Sequence, residues 1–194
     1  MIARISETLR RARDSDIWWS FTRSKLVMAS AAMTAIFFIA AYGAPLLAPH
    51  NPFDLASLNL GDGFKPPAWV DGGEQNFLLG TDDQGRDILS TIMYGSRTSL
   101  SVGFLAVIFA MTLGITLGLV AGYMGGAVDA FIMRVADVQL SFPAILIAML
   151  VDGVTRGLLG ADKHSEAAIS VLIVSIGLSY WVQYARTVRG SVLV

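Results

Sequence analysis

The stretch LLGTDDQGRD (78–87) packs Gly80, Thr81, Asp82, Gly85, Arg86 and Asp87 into ten residues, enough glycine, acid and base for a binding site. Gly80 and Gly85 are spaced as in the phosphate loop GxxxxGK[ST], where Lys and a hydroxyl follow to hold phosphate and Mg²⁺. Arg86 and Asp87 follow here, and a carboxylate in place of the hydroxyl repels the ligand. A calcium loop would use Asp82, Asp83 and Asp87, but the alternating ligands and closing Glu of an EF-hand are missing. The remaining reading is a structured turn in which Thr81 or Asp82 caps a helix running from about Gln84, with Asp83 in its first turn. Cysteine is absent, His50 and His164 stand 114 positions apart, and neither GxSxG nor HExxH occurs. No catalytic residue, metal site or cofactor bound by this chain is therefore expected.

What the turn does depends on the elements that carry it. The 194 residues are 54% hydrophobic and 15% charged, against roughly 25% charged in a soluble domain. This is the balance of an all-α integral membrane protein, and a net charge of −1 gives no bias toward nucleic acid. Runs without charge predict spans at 26–49, 99–123 and 167–185, long enough to cross lipid. A further span is predicted at 130–151, although Arg134 and Asp137 fall in its first turns and Pro143 in its middle. A signal peptide is a poor reading of the first run, because its polar leader is long and Pro49 follows the only small-residue site. The leader 1–25 carries six Lys and Arg, whereas 50–98 carries three and seven acids. The N-terminus is thus expected in the cytoplasm, 50–98 outside, and 186–194 at the start of a cytoplasmic loop. Ile2, Ile5, Leu9 and Ala12 could form one face of an interfacial helix in the leader, or the leader could be a flexible basic tail. Trp18, Trp19, Phe21 and Tyr94, with Tyr180, Trp181 and Tyr184 at the inner end of the last span, suit membrane interfaces.

Small residues recur at every fourth position of 99–123: Ala106, Ala110, Gly114, Gly118 and Gly122. Such a stripe lets another helix approach closely, without saying which one. Arg134 and Asp137, at i and i+3, are expected to pair near the inner boundary. The middles of the spans contain no ionisable residue, which speaks against an ion-coupled carrier.

Four ordered segments, LLGTDDQGRDILS (78–90), YGSRTSLSVG (94–103), AGYMGGAVDAFIMRVADVQLSFP (121–143) and YARTVRGSVL (184–193), resemble the permease subunits of bacterial ABC importers for dipeptides, oligopeptides and nickel. The resemblance covers most of 48–194 and matches the family's outside motif at Gly80, Thr81, Asp82, Gly85, Arg86 and Asp87. It implies an inner-membrane pore subunit with a second permease, an extracytoplasmic substrate-binding protein and two cytoplasmic ATPases that bind ATP and Mg²⁺. The outside turn is expected near the translocation mouth or the dock of the binding protein. The family also implies six spans and an ATPase-docking loop after the fourth, whereas this sequence reaches Val194 before either, as though truncated. The competing classes are a stand-alone channel or carrier, and a nontransporting scaffold or remnant. Reconstituted with partner subunits but without the further spans and loop that the family implies, these 194 residues are expected to give no ATP-driven uptake, and a proteoliposome assay against a full-length permease of the family checks this.

Overall fold

The computed structural model describes residues 16–54 and 58–193; the leader face of Ile2, Ile5, Leu9 and Ala12 lies outside them. The regular elements are helical: α1 (Asp16–Arg23), α2 (Lys25–Tyr42), α3 (Ala44–Leu47), α4 (Ile88–Met124), α5 (Gly126–Leu140) and α6 (Ala144–Val192), with a 3-10 turn at Leu60–Asp62. No β-strand occurs among the described residues. The chain forms two compact units, Met1–Thr98 and Ser99–Val194, divided within α4.

Local chemistry sets the helix ends in the first unit. The Ser24 hydroxyl accepts the Val27 N–H and caps α2. In α1 the Arg23 guanidinium lies 4.5 Å from the centre of the Trp19 ring. At Gly43 a Cβ would come within 2.5 Å of the Ile39 carbonyl oxygen, and Pro45 in the first turn of α3 has no N–H to continue the ladder. The expected span 26–49 is therefore an 18-residue helix followed by a separate short turn.

Three helices are long and apolar enough to cross a membrane: Lys25–Tyr42, Ile88–Met124 and Glu166–Val192. With 37 residues, α4 is far longer than the stretch 99–123, about 55 Å at 1.5 Å per residue. The expected continuous span 130–151 is corrected by the structure. Ser141, Phe142 and Pro143 separate α5 from α6, and Gly126–Leu140 and Ala144–Gly160 are bent by 98°. Pro143 has no N–H and forces Phe142 away from the helical region, which ends α5. A second break falls inside α6 at Gly160, whose φ of 74° and ψ of 166° belong to no helix. The last span continues through Arg186 and Arg189 to Val192 rather than stopping at Ala185.

The second unit is organised by contact between α4 and the last part of α6. A Cβ at Gly114 would lie 2.4 Å from the Trp181 carbonyl oxygen and 2.6 Å from Tyr184 Cβ. At Gly118 it would meet the Ala185 carbonyl oxygen at 2.6 Å, and at Gly122 it would meet Val192 Cβ at 2.8 Å. Rising numbers on one helix meet rising numbers on the other, so the two run parallel. Ala106 and Ala110 are buried along the same stripe, and Gly177 returns the arrangement by receiving the Phe109 ring. Ala121, Trp181, Val182 and Ala185 then form a core with Ile132 and Ala136 of α5.

Leucine at position 114 has nowhere to go without parting these backbones. Gly114→Leu is expected to destabilise the unit by about 3 kcal/mol or more, at or beyond the usual range for overpacking. Gly103→Ala, where a Cβ meets nothing within 4 Å, should leave stability unchanged. Thermal unfolding of the two variants in detergent checks the contrast.

Candidate functional site

The turn at 78–91 fills its own anion site. Asp82 Oδ1 accepts the N–H groups of Gln84 and Arg86, each at 2.9 Å, and Oδ2 accepts Arg86 Nε at 2.7 Å. The amides that a phosphate loop would aim at a ligand are thus taken by a carboxylate of the same loop. Asp82 N–H donates to the Arg86 carbonyl, and Gly85 N–H donates to the Asp82 carbonyl. Gly80 and Gly85 have φ of 81° and 76°, and a Cβ on either would lie 2.4 Å from a backbone oxygen, of Lys65 and Asn59 respectively. The glycines therefore serve positive φ and close backbone approach.

Thr81 and Asp87 form an isolated antiparallel bridge and are both buried. The Thr81 hydroxyl accepts the Lys65 N–H at 2.9 Å and donates to the Asp62 carbonyl, which ties the turn to the segment before it. Lys65 Nζ pairs with Asp62 at 2.7 Å and Glu74 at 2.5 Å. Hydrogen bonds from Lys65 to Asp62 and then Glu74 hold its ammonium pKa above the ordinary value. His50 stacks on Phe77 at 5.3 Å, and Phe53 meets the Tyr94 ring edge-on at 5.7 Å.

The expected cap is corrected. The helix begins at Ile88, not near Gln84, and Asp87 caps it: Asp87 Oδ2 accepts the Ser90 N–H at 2.9 Å and its hydroxyl at 2.5 Å. The Ser90 hydroxyl in turn accepts the His50 N–H at 3.1 Å. Thr81 and Asp82 instead hold the loop, and Asp83 precedes the helix. Asp82 and Asp87 turn their oxygens to separate tasks, Asp83 is exposed, and no cluster of three potential metal ligands exists among the described residues.

The second unit holds the other residues singled out above. The stripe from Ala106 to Gly122 packs on α6 as described. The pairing of Arg134 with Asp137 is corrected: Asp137 pairs with Arg186 across to α6, and Arg134 is exposed with no ion pair among the described residues. An i, i+3 argument considers one helix alone, whereas the carboxylate here has a guanidinium on the neighbouring helix.

Two further clamps had no local signal. Asp129 and Arg189, 60 positions apart, form a two-bond ion pair. Gln139 Oε1 accepts the Trp181 indole N–H at 2.7 Å, while its amide donates to the Leu178 carbonyl. Trp181 is therefore an interior residue, 4% exposed, and not an interface anchor. Asking where a membrane-embedded indole N–H finds its acceptor is the one sequence-level question that leads to Gln139.

Residues 15–67 match the N-terminal transmembrane domain of oligopeptide transport permease C. The chain is 38% identical over 179 residues to the dipeptide transport system permease protein DppC of Escherichia coli, covering 92% of this chain and 55% of that protein. It is 35% identical over 178 residues to DppC of Haemophilus influenzae, covering 92% and 56%. It is 29% identical over 178 residues to the oligopeptide transport system permease protein OppC of Bacillus subtilis, covering 92% and 52%. The chain thus spans about half the length of the curated relatives it matches.

Acid should open the turn. Partial burial pushes the Asp82 pKa up, but the Arg86 and Gln84 N–H groups and the Arg86 guanidinium outweigh it, so the folded value lies below the ordinary one. The stabilisation is complete above the ordinary carboxylate range and is lost as pH falls through the depressed value. Hydrogen exchange at the Gln84 and Arg86 amides should show protection at neutral pH that fades only below that range. Asp82→Ala, which removes the acceptor, should lack the protection at every pH.

Proposed function

Because the chain belongs to the family of dipeptide and oligopeptide transport permeases, we propose that it acts in the membrane-spanning permease subunit of an ABC importer for peptides. The observation that carries this reading is the similarity to peptide permeases along 92% of the chain, joined to a multi-pass helical architecture. The molecule is a multi-pass membrane protein. In our reading it lies in the bacterial inner membrane with its N-terminus in the cytoplasm, an orientation supported by the excess of Lys and Arg in the leader over 50–98.

That orientation puts the turn at 80–87 outside, near the mouth of the path, where its rigid surface suits contact with a substrate-binding protein. ATP and Mg²⁺ belong to two cytoplasmic ATPases, and a second, similar permease completes the pore. This chain then supplies passage and no hydrolysis. The dipeptide and oligopeptide permeases it resembles support peptide over nickel as the solute.

Deleting the gene in its host should lower ATP-dependent uptake of radiolabelled glycylsarcosine at least several-fold, and restoring the gene should recover it. Uptake unchanged by the deletion, with other peptide importers removed, would refute the peptide reading.

A further inference from the structure

Polar side chains line one face of the last span, opposite the apolar run of α4. Tyr180, Gln183, Tyr184 and Thr187 stand at i, i+3, i+4 and i+7, one stripe of a helix. The contacts across α4 give their depth: Tyr184 faces Gly114, and Gly114 stands 17 residues after Arg97 and 15 before Asp129, the charges that bound the apolar run. The stripe therefore lies beside the apolar run of α4, in the turns of α6 just before Arg186 and Arg189.

Tyr180, Gln183 and Tyr184 also line a groove of roughly 250 Å³, with Gly103, Ala106, Val107 and Ala110 of α4 opposite. Their phenol and amide groups make no hydrogen bond among the described residues. Gln183 is exposed, and Tyr180 is 48% exposed. An unpaired amide facing hydrocarbon is strongly unfavourable, so this face meets water or a polar partner. Arg186, one turn beyond Gln183, agrees: its ion pair with Asp137 leaves both side chains about half exposed, which membrane charges tolerate only beside water or protein.

A tightly packed helix is the weaker occupant. Close helix contact in membranes uses small residues, and of those lining the groove Ala106 and Ala110 are already 1% exposed under α6, which leaves Gly103 alone exposed. Apart from Gly103, what remains uncovered is bulky and rich in hydrogen-bonding groups on an apolar floor, the composition of a solute site.

We propose that the Tyr180–Gln183–Tyr184 face is a wall of the water-filled solute path, and that it takes peptides by hydrogen bonds to their backbone amides and carbonyls. Because the groove contains no charge, such contacts are indifferent to the peptide's side chains. The inference rests on the peptide-permease reading and goes beyond it by assigning the residues.

These 194 residues contain no cysteine, so labelling of Gln183→Cys in its native complex is read as the difference from the same complex without the substitution. In membrane vesicles, a charged, membrane-impermeant methanethiosulfonate applied from both sides should label position 183, and excess glycylsarcosine should slow labelling about threefold or more. Phe104→Cys, on an exposed apolar part of α4, should react only with a lipid-permeable maleimide. Gln183→Leu should raise the KM for glycylsarcosine uptake about fivefold with little change in maximal rate, the size of one lost hydrogen bond.

If position 183 resists the charged reagent but reacts with the maleimide, or crosslinks to a neighbouring helix, the path assignment is overturned even while wild-type uptake upholds the transport reading. Labelling that glycylsarcosine does not slow, together with an unchanged KM in Gln183→Leu, overturns the peptide contact. Loss of the transport reading itself shows separately, as absent uptake by the wild-type complex.

Discussion

The second unit depends on two backbones being allowed to touch. Gly114, Gly118 and Gly122 leave no room for a β-carbon against Trp181, Ala185 and Val192. In lipid there is little hydrophobic force between helices, so dense contact and shared polar groups must hold them together. Close approach of α4 lets Trp181, Val182 and Ala185 pack with Ala121 and with Ile132 and Ala136 of α5. The same packing sets Gln139 under the Trp181 indole and leaves the neighbouring face of α6, with Tyr180 and Gln183, turned away from the core.

The first unit solves a different problem. Its segment before α4 has almost no regular structure, so its backbone donors must be satisfied one at a time. Asp82, Thr81 and Asp87 do this with side chains: one gathers amides within the loop, one receives the Lys65 amide, and one closes the first turn of the helix. The backbone turn and the helix start are therefore joined by residues adjacent in sequence. One oxygen, Asp87 Oδ1, is buried without a hydrogen-bond partner among the described residues, while His50 Nδ1 stands 3.9 Å from the other.

The helical class and the places of three long apolar helices were legible because uncharged runs of that length have few other uses. The stripe from Ala106 to Gly122 was legible for the same reason, since spacing by four places residues on one side of a helix whatever lies opposite. Its partner was not legible, because periodicity describes one element and contact needs two. That limit explains the misassigned partner of Asp137 and the silence about Asp129 with Arg189. The cap failed differently. Thr81, Asp82 and Asp87 are all competent caps, and only the positive φ of Gly85, which turns the chain back on itself, delays the helix until Ile88.

The parallel course of α4 and the end of α6 settles a matter of counting. A chain that leaves α4 at Met124 and later runs alongside it in the same direction must first return to the face of the membrane from which α4 set out. The residues between, α5 and the first part of α6, make that return despite the 98° bend at Ser141–Pro143. With α4 and the end of α6 both taken as spans, the bent pair between them counts as one crossing by parity. A single row of glycine contacts thus fixes the relative direction of two helices, and their apolar length supplies the only other fact the count needs.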